Sequence, residues 1–153
     1  MIVFYARIHG RAVVNPPLRS ADQNNALMEA INAGIIDTIG SDHAPHTIQE
    51  KEKPYGECPS GMPGIETTLP LLLTAHLEGL LSLERIVQLT STRAQEIFRL
   101  PATNDFVLVD MHKKVKVTPE KLKTKCAWSA FAGWELTGWP VCTVINGQCF
   151  FLN

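Results

Sequence analysis

The sequence lacks the features that mark several large classes of protein. It contains no apolar run of about 20 residues, the length that a membrane-spanning helix requires. Its 14 basic and 15 acidic residues nearly cancel to a net charge of −1, and the one short basic run lies at residues 113–116. This balance excludes a polyanion-binding signature. We therefore expect neither a membrane nor a nucleic acid as a partner.

The four cysteines form no Cys-x-x-Cys pair, which argues against a zinc knuckle or a dithiol redox site. They are Cys58, Cys126, Cys142 and Cys149, and we expect reduced, structural thiols. The apolar residues 1–6 have no basic leader, so no signal peptide is predicted and a cytoplasmic location is expected. No His-x-His pair occurs either.

The first two-thirds of the chain show helical periodicity and one buried strand. Residues 20–34 predict a helix that opens with a Ser20/Gln23 capping box, and residues 35–41 predict a strand directly after it. A long polar loop follows from His43 to about Gly64. Residues 66–80 predict a second helix, and Ser82 and a Thr92/Gln95 box predict the starts of two shorter ones. This order is that of an α/β protein.

The character of the sequence changes after Pro101. Residues 106–110, 115–117 and 141–145 are rich in β-branched residues, and Asn146-Gly147 before residues 148–151 is a strong hairpin signal. We therefore predict a mostly antiparallel β unit over residues 103–153, after a first domain at residues 1–102.

Asp42 is the strongest candidate for chemistry. A strand that delivers a carboxylate to its C-terminal end is how an α/β barrel presents a catalytic group. A carboxylate can bind a metal and also carry a proton, although Asp42 could equally cap the turn after the strand. His43 and His46 follow at a spacing that suits two metal ligands, one ligand or none. His76, on an apolar helix face, is predicted to be a packing residue.

Two further segments could contact a ligand. Residues 15–19 are rigid because of two prolines, so they could direct the Asn15 amide and the Arg19 guanidinium toward a planar amide or carboxylate. The loop at residues 60–64 could bring backbone N–H groups close to a ligand, because glycine permits close approach. Each signal has an ordinary alternative, a linker in the first case and a turn in the second.

Taken together, four segments resemble the dihydroorotases of the amidohydrolase superfamily, in the same order and at similar spacing. They are NPPLR at residues 15–19, DHAPHT at 42–47, EK at 50–51 and GMPGIET at 61–67. The resemblance extends to WSAFAG at residues 128–133 and VING at 144–147, so it covers most of the chain.

The resemblance implies reversible ring closure between N-carbamoyl-aspartate and dihydroorotate in pyrimidine synthesis, at a binuclear zinc centre. Asp42 would bind zinc and act as the acid/base, whereas Asn15 and His46 would hold the substrate. Backbone groups near Ser60 and Gly61 would complete the pocket. His43 matches the motif but receives no role.

The chain also departs from the family. The family's His-x-His pair, carboxylated lysine and two further histidines have no counterpart here, and about 250 residues are needed for a whole barrel against 153 present. The implied fold is therefore the C-terminal part of a metal-dependent TIM-type barrel, followed by the small β unit. We expect this polypeptide alone to form no zinc centre and to show no turnover. We also expect it to oligomerise, because a broken barrel exposes strand edges.

Two alternatives stay open at this point. The related allantoinases and dihydropyrimidinases share the strand-end aspartate, although residues 15–19 and 44–46 favour dihydroorotase. A non-catalytic scaffold that pairs with a partner such as aspartate transcarbamoylase is the other alternative. A pure scaffold has no need to keep Asp42, His46 and Asn15 together.

Overall fold

The computed structural model describes residues 8–152, so the apolar stretch at residues 1–6 lies outside the described residues. The chain is α/β. Its helices are α1 (Ala21–Asn32), α2 (Ile48–Lys51), α3 (Ile65–Leu77), α4 (Leu83–Val87) and α5 (Arg93–Phe98), and its strands are β1 (Phe106–Lys116), β2 (Glu135–Ile145) and β3 (Gln148–Phe151). Short 3-10 turns lie at His9–Ala12 and Pro119–Lys121. Within residues 8–152, none of the helices combines the length and the apolar character needed to cross a membrane.

The chain divides into two compact units, each discontinuous in sequence. The first comprises Met1–Glu29, Gly40–Thr68 and Lys116–Trp134. Its interior contains Trp128, Val117 and Ala12, together with the side chain of Lys51, all of them at most 1% exposed. Helix α2 in this unit begins with a Thr47/Glu50 capping box. All the residues proposed above for chemistry or ligand binding lie in this unit.

The second unit comprises Ala30–Ile39, Leu69–Val115 and Glu135–Asn153. Helices α4 and α5 are joined by a π-helical turn at Gln88–Thr92. Arg85 of α4 connects these helices to residues 30–39, because its guanidinium donates to the carbonyls of Ile31 and Ile36. The Ile39 N–H adds a bond of 3.1 Å to the Leu89 carbonyl.

The sheet of the second unit has the strand order β1-β2-β3, and β2 pairs with β3 in antiparallel register, with Val144 opposite Cys149. Asn146 and Gly147 both have positive φ, as the predicted two-residue hairpin requires. Gly138 of β2 lies so close to α3 that an added Cβ would come within 2.7 Å of the Leu73 Cβ. The predicted hairpin and the β-rich character of the tail are thus confirmed, with residues 106–116 forming one strand where two were predicted, at residues 106–110 and 115–117.

The predicted strand at residues 35–41 is wrong for this structure, which assigns no strand there. A strand exists only where its backbone groups pair with a neighbour. Within the described residues, the one backbone bond from residues 36–41 to a distant segment is that of Ile39 to Leu89. Residues 35–41 therefore form an apolar run, but among the described residues no neighbouring strand pairs with them.

The predicted helices are confirmed, but some of their limits differ. Ser20 and Gln23 form the predicted reciprocal capping contacts before α1. Helix α3 runs from Ile65 to Leu77, against the predicted residues 66–80, and Pro70 lies inside it. Thr92 has helical backbone angles and makes no capping bond, because the π turn continues the helix into α5. The predicted Thr92/Gln95 box is therefore wrong.

Candidate functional site

The loop at residues 43–64 is organised around the buried side chain of Lys51. Its Nζ donates to the carbonyls of Val13 at 2.9 Å, Pro59 at 2.6 Å and Gly61 at 2.8 Å. An ammonium group has three N–H donors, so each has an acceptor. Burial lowers the pKa of Lys51, and the negative charge of the Asp42 carboxylate is among the effects that oppose this shift.

His46 contacts the same loop through its ring. Its Nε2 lies 3.1 Å from the Ser60 carbonyl. A carbonyl can only accept, so Nε2 carries the proton and donates, which leaves Nδ1 free in the neutral ring to accept from a ligand. The backbone of His46 is also held, because the buried Trp128 donates from Nε1 to the His46 carbonyl at 2.8 Å. The structure thus brings His46 and Ser60 together.

His43 has a role that the sequence did not reveal. Its Nδ1 accepts from the N–H groups of both Gly64 and Ile65, each at 3.3 Å, at the start of α3. These N–H groups have no partner within the helix, so the imidazole acts as an N-cap. Capping fixes the neutral tautomer with the proton on Nε2. The only sequence signal was the motif match, because a histidine 21 positions from the helix start is not a recognisable cap.

Asp42 is exposed and has a positive φ of 46°. Positive φ is uncommon for residues other than glycine, and Asp and Asn tolerate it best. The Ala44 N–H donates to the Asp42 carbonyl at 2.7 Å and to the Met62 carbonyl at 3.2 Å, which ties this turn to the loop at residues 60–64. The side chain is therefore not turned into the protein interior.

The Asn15 segment, residues 13–19, is joined to the same loop through the backbone. The Gly61 N–H donates to the Val13 carbonyl at 3.1 Å, so Gly61 does not offer this group to a ligand. Asn15 and Ser60 are both exposed. An added Cβ on Gly61 would lie 2.6 Å from the Ala44 carbonyl oxygen, so the close approach expected of this glycine is present, toward protein.

Two acidic side chains in or next to the loop at residues 43–64 accept hydrogen bonds from backbone N–H groups. The Glu50 carboxylate accepts from the N–H and the hydroxyl of Thr47, and these bonds lower its pKa. The Glu66 carboxylate accepts from the backbone N–H groups of Lys123 and Thr124, both at 2.8 Å. Glu66 therefore ties the first turn of α3 to the segment that carries Trp128.

The described residues do not by themselves fit a binuclear zinc centre. Such a centre needs several Asp, His or Cys donors around each metal ion. Within residues 8–152, no three His, Cys, Asp or Glu side chains converge as a metal site would require. Asp42 offers one exposed carboxylate, and Nδ1 of His43 is engaged as a cap.

Comparison with solved structures defines the class of protein. The chain superimposes over its whole length on the L-hydantoinase (dihydropyrimidinase) from Arthrobacter aurescens, with a TM-score of 0.91 and 31% identity, and covers 38% of that chain. The dihydropyrimidinase from Brevibacillus agri matches with a TM-score of 0.87 at 25% identity, over 94% of this chain and 34% of that one. The fold is thus that of a segment of a cyclic amidohydrolase.

Comparison with curated sequences is more specific. The dihydroorotase of Bacillus cereus is 36% identical over 143 residues, which are 88% of this chain and 33% of that protein. The dihydroorotase of Anoxybacillus flavithermus is 38% identical over the same length. The chain spans about one-third of the length of these relatives. No protein-family model matches it. The predicted resemblance to dihydroorotases is confirmed: the chain is homologous to one segment of that family.

Proposed function

We propose that this chain forms the substrate-binding wall and supplies the acid/base carboxylate of a dihydroorotase, which interconverts dihydroorotate and N-carbamoyl-aspartate. The observation that carries the proposal is the joining of three motif segments in one unit. The bond from Gly61 to Val13 links the turn at residues 59–61 to the chain just before residues 15–19, and the contact of His46 with Ser60 links the same turn to residues 42–47.

The residues have distinct roles in this proposal. Asp42 moves a proton between the attacking water and the ring nitrogen, a task for which a carboxylate exposed to the substrate is suited. Asn15 and the free Nδ1 of His46 bind polar atoms of the ring. The Ser60 N–H supplies a backbone donor. Gly61 shapes the turn and, contrary to expectation, does not donate its own N–H.

The proposal also includes the barrel and the metal of the family. This chain would supply part of the barrel, and the two-thirds of the relatives that it does not match would supply the rest. Zinc would require donors from that part, with the Asp42 carboxylate as one further ligand. Pyrimidine synthesis in the cytoplasm is the setting that this activity implies, and the domain boundary near residues 102–103 stays a prediction.

Reconstitution tests the proposal. The chain is mixed with the unmatched part of the Bacillus cereus dihydroorotase, and turnover of dihydroorotate and metal content are measured for each polypeptide and for the mixture. We expect activity and stoichiometric zinc only in the mixture. Activity in the isolated chain would overturn the proposed division of the site, and a stable mixed complex without turnover would favour the scaffold alternative.

Asp42→Asn tests the proposed catalytic role. Loss of general acid/base catalysis should reduce kcat in the reconstituted enzyme by a factor of about 10² to 10⁴. Asp37→Asn is the matched control, because Asp37 forms an exposed ion pair with Arg93 and such pairs contribute little. The control should keep its rate within about twofold. Wild-type kcat in Asp42→Asn would remove Asp42 from this role.

A second candidate function is a hydantoinase-like or dihydropyrimidinase-like activity. The superposition on the Arthrobacter aurescens enzyme favours it. The substrates differ because only dihydroorotate carries a carboxylate on its ring. Arg19, which follows Asn15 in the rigid segment at residues 15–19, is the candidate to bind that carboxylate. Hydantoin and dihydrouracil, assayed beside dihydroorotate, separate the two activities. Faster turnover of the uncharged rings would favour the second candidate.

A further inference from the structure

The side chain of Lys51 is unusual because it is buried as an ammonium group without a carboxylate in contact. It is fully buried, and the ion pairs found within residues 8–152 involve only Arg93. A buried charge is costly, and an apolar side chain of similar volume often stabilises a protein as well or better. A lysine at this position therefore indicates a requirement for its three N–H donors.

The acceptors of Lys51 are the backbone carbonyls of the two segments proposed to bind substrate. Val13 lies two positions before Asn15, whereas Pro59 and Gly61 are the neighbours of Ser60. The Ser60 carbonyl is held in turn by His46, and the Gly61 N–H by Val13. Three successive peptide groups, from Pro59 to Met62, are thereby fixed in orientation.

This arrangement determines the direction of one N–H group. In a trans peptide the C=O and the following N–H point in opposite directions, and the peptide between Pro59 and Ser60 is trans. Because the Pro59 carbonyl points at Nζ of Lys51, the Ser60 N–H points away from it. Among the described residues this N–H has no protein acceptor, and Ser60 is exposed.

We propose that Lys51 is a positioning residue, which locks the Asn15 segment to the turn at residues 59–61 and thereby directs the Ser60 N–H toward a carbonyl or carboxylate oxygen of the ligand. The identity of that ligand rests on the proposed function, but the lock itself does not. Lys51 touches no substrate, so its loss should weaken substrate binding more than it slows the chemical step.

The first experiment measures the lock without any ligand. Lys51→Met keeps the length of the side chain but removes all donors, and Lys53→Met changes an exposed lysine in the same loop. In the full chain, we expect Lys51→Met to speed hydrogen exchange of the Gly61 amide at least tenfold, and Lys53→Met to leave it unchanged. Equal exchange in the two variants would overturn the proposal.

The second experiment uses the reconstituted enzyme with dihydroorotate. We expect Lys51→Met to raise KM at least tenfold while kcat stays within threefold, with wild-type values for Lys53→Met. An unchanged KM, or a loss confined to kcat, would overturn the positioning role. If the wild-type chain does not reconstitute turnover, the proposed function fails, and the exchange measurement still decides whether Lys51 locks the loop.

Lys51→Arg replaces Lys51→Met if the latter does not fold, as judged by circular dichroism. Arginine keeps the charge, but its planar donors do not match three carbonyls that converge on one nitrogen. A folded Lys51→Arg variant is expected to show faster Gly61 exchange and a raised KM. Wild-type exchange and KM in this variant would contradict the proposed geometry.

Discussion

At the scale of single residues, the motif histidines illustrate how similar side chains acquire different tasks. His43 accepts at Nδ1 from two backbone N–H groups, whereas His46 donates from Nε2 to a carbonyl. Only the second leaves an accepting nitrogen free at the position proposed to bind substrate. The role of His43 is therefore to begin α3.

Replacing His43 should destabilise the chain through this cap. In His43→Ala the N–H groups of Gly64 and Ile65 lose their acceptor, and we expect a loss of about 1 kcal/mol in the free energy of unfolding. Urea unfolding followed by circular dichroism measures it. His43→Asn keeps a side-chain acceptor and should recover part of the loss. His112→Ala, an exposed change on β1, should stay within about 0.5 kcal/mol of wild type; a similar loss there would argue against the cap.

The contacts that were predicted from the sequence join neighbouring residues. The contacts that were not predicted join residues far apart in the chain. Local signals were read correctly, such as the Ser20/Gln23 box and the Asn146-Gly147 turn, because the interacting groups are neighbours in sequence. The role of Lys51 was missed, because one of its acceptors, Val13, is 38 positions away and no short pattern encodes a buried ammonium group. His76 was correctly predicted as a packing residue, since it is half-buried and contacts the Leu81 carbonyl.

At the scale of elements, the close contact of β2 with α3 depends on a glycine. Gly138 has a φ of +88°, and Leu73 occupies the space that a Cβ would need. The half-buried hydroxyl of Thr74 strengthens the same contact, since it accepts from the Thr137 N–H at 2.9 Å. The strand and the helix are thus in contact at backbone distance.

Gly138→Ala should be strongly destabilising for two reasons that add. Positive φ costs a residue with a Cβ about 1–2 kcal/mol, and forcing a methyl group into a filled space costs about 1–3 kcal/mol. We expect a total loss of about 2–5 kcal/mol, measured by thermal or urea unfolding. Gly79→Ala is the matched control, because Gly79 also has positive φ but has open space around it, so it should lose only the first term. Equal losses in the two variants would contradict the packing argument.

The predicted strand at residues 35–41 shows what an element can require beyond its own sequence. Its apolar residues are those of a buried parallel strand, yet Ile35 is 75% exposed. A strand of this kind is stabilised by neighbours on both sides, and within the described residues no ladder forms beside it. Helix α1 likewise forms within the predicted range of residues 20–34 but has no buried residue. The sequence pattern therefore predicted which faces of these segments are apolar, but not which of those faces are buried in this chain.

At the scale of the whole molecule, exposed apolar residues predict self-association. Phe151 of the edge strand β3 is 76% exposed, and an uncharged edge strand is a template for pairing with another chain. We expect gel filtration with light scattering to give a mass above the 16.9 kDa of the monomer. Phe151→Lys should shift the mass toward the monomer, because an edge lysine opposes strand pairing. Tyr55→Lys is the control, since Tyr55 is 84% exposed but lies in a loop. A monomeric wild type, or an equal effect of both substitutions, would show that the edge of β3 does not drive association.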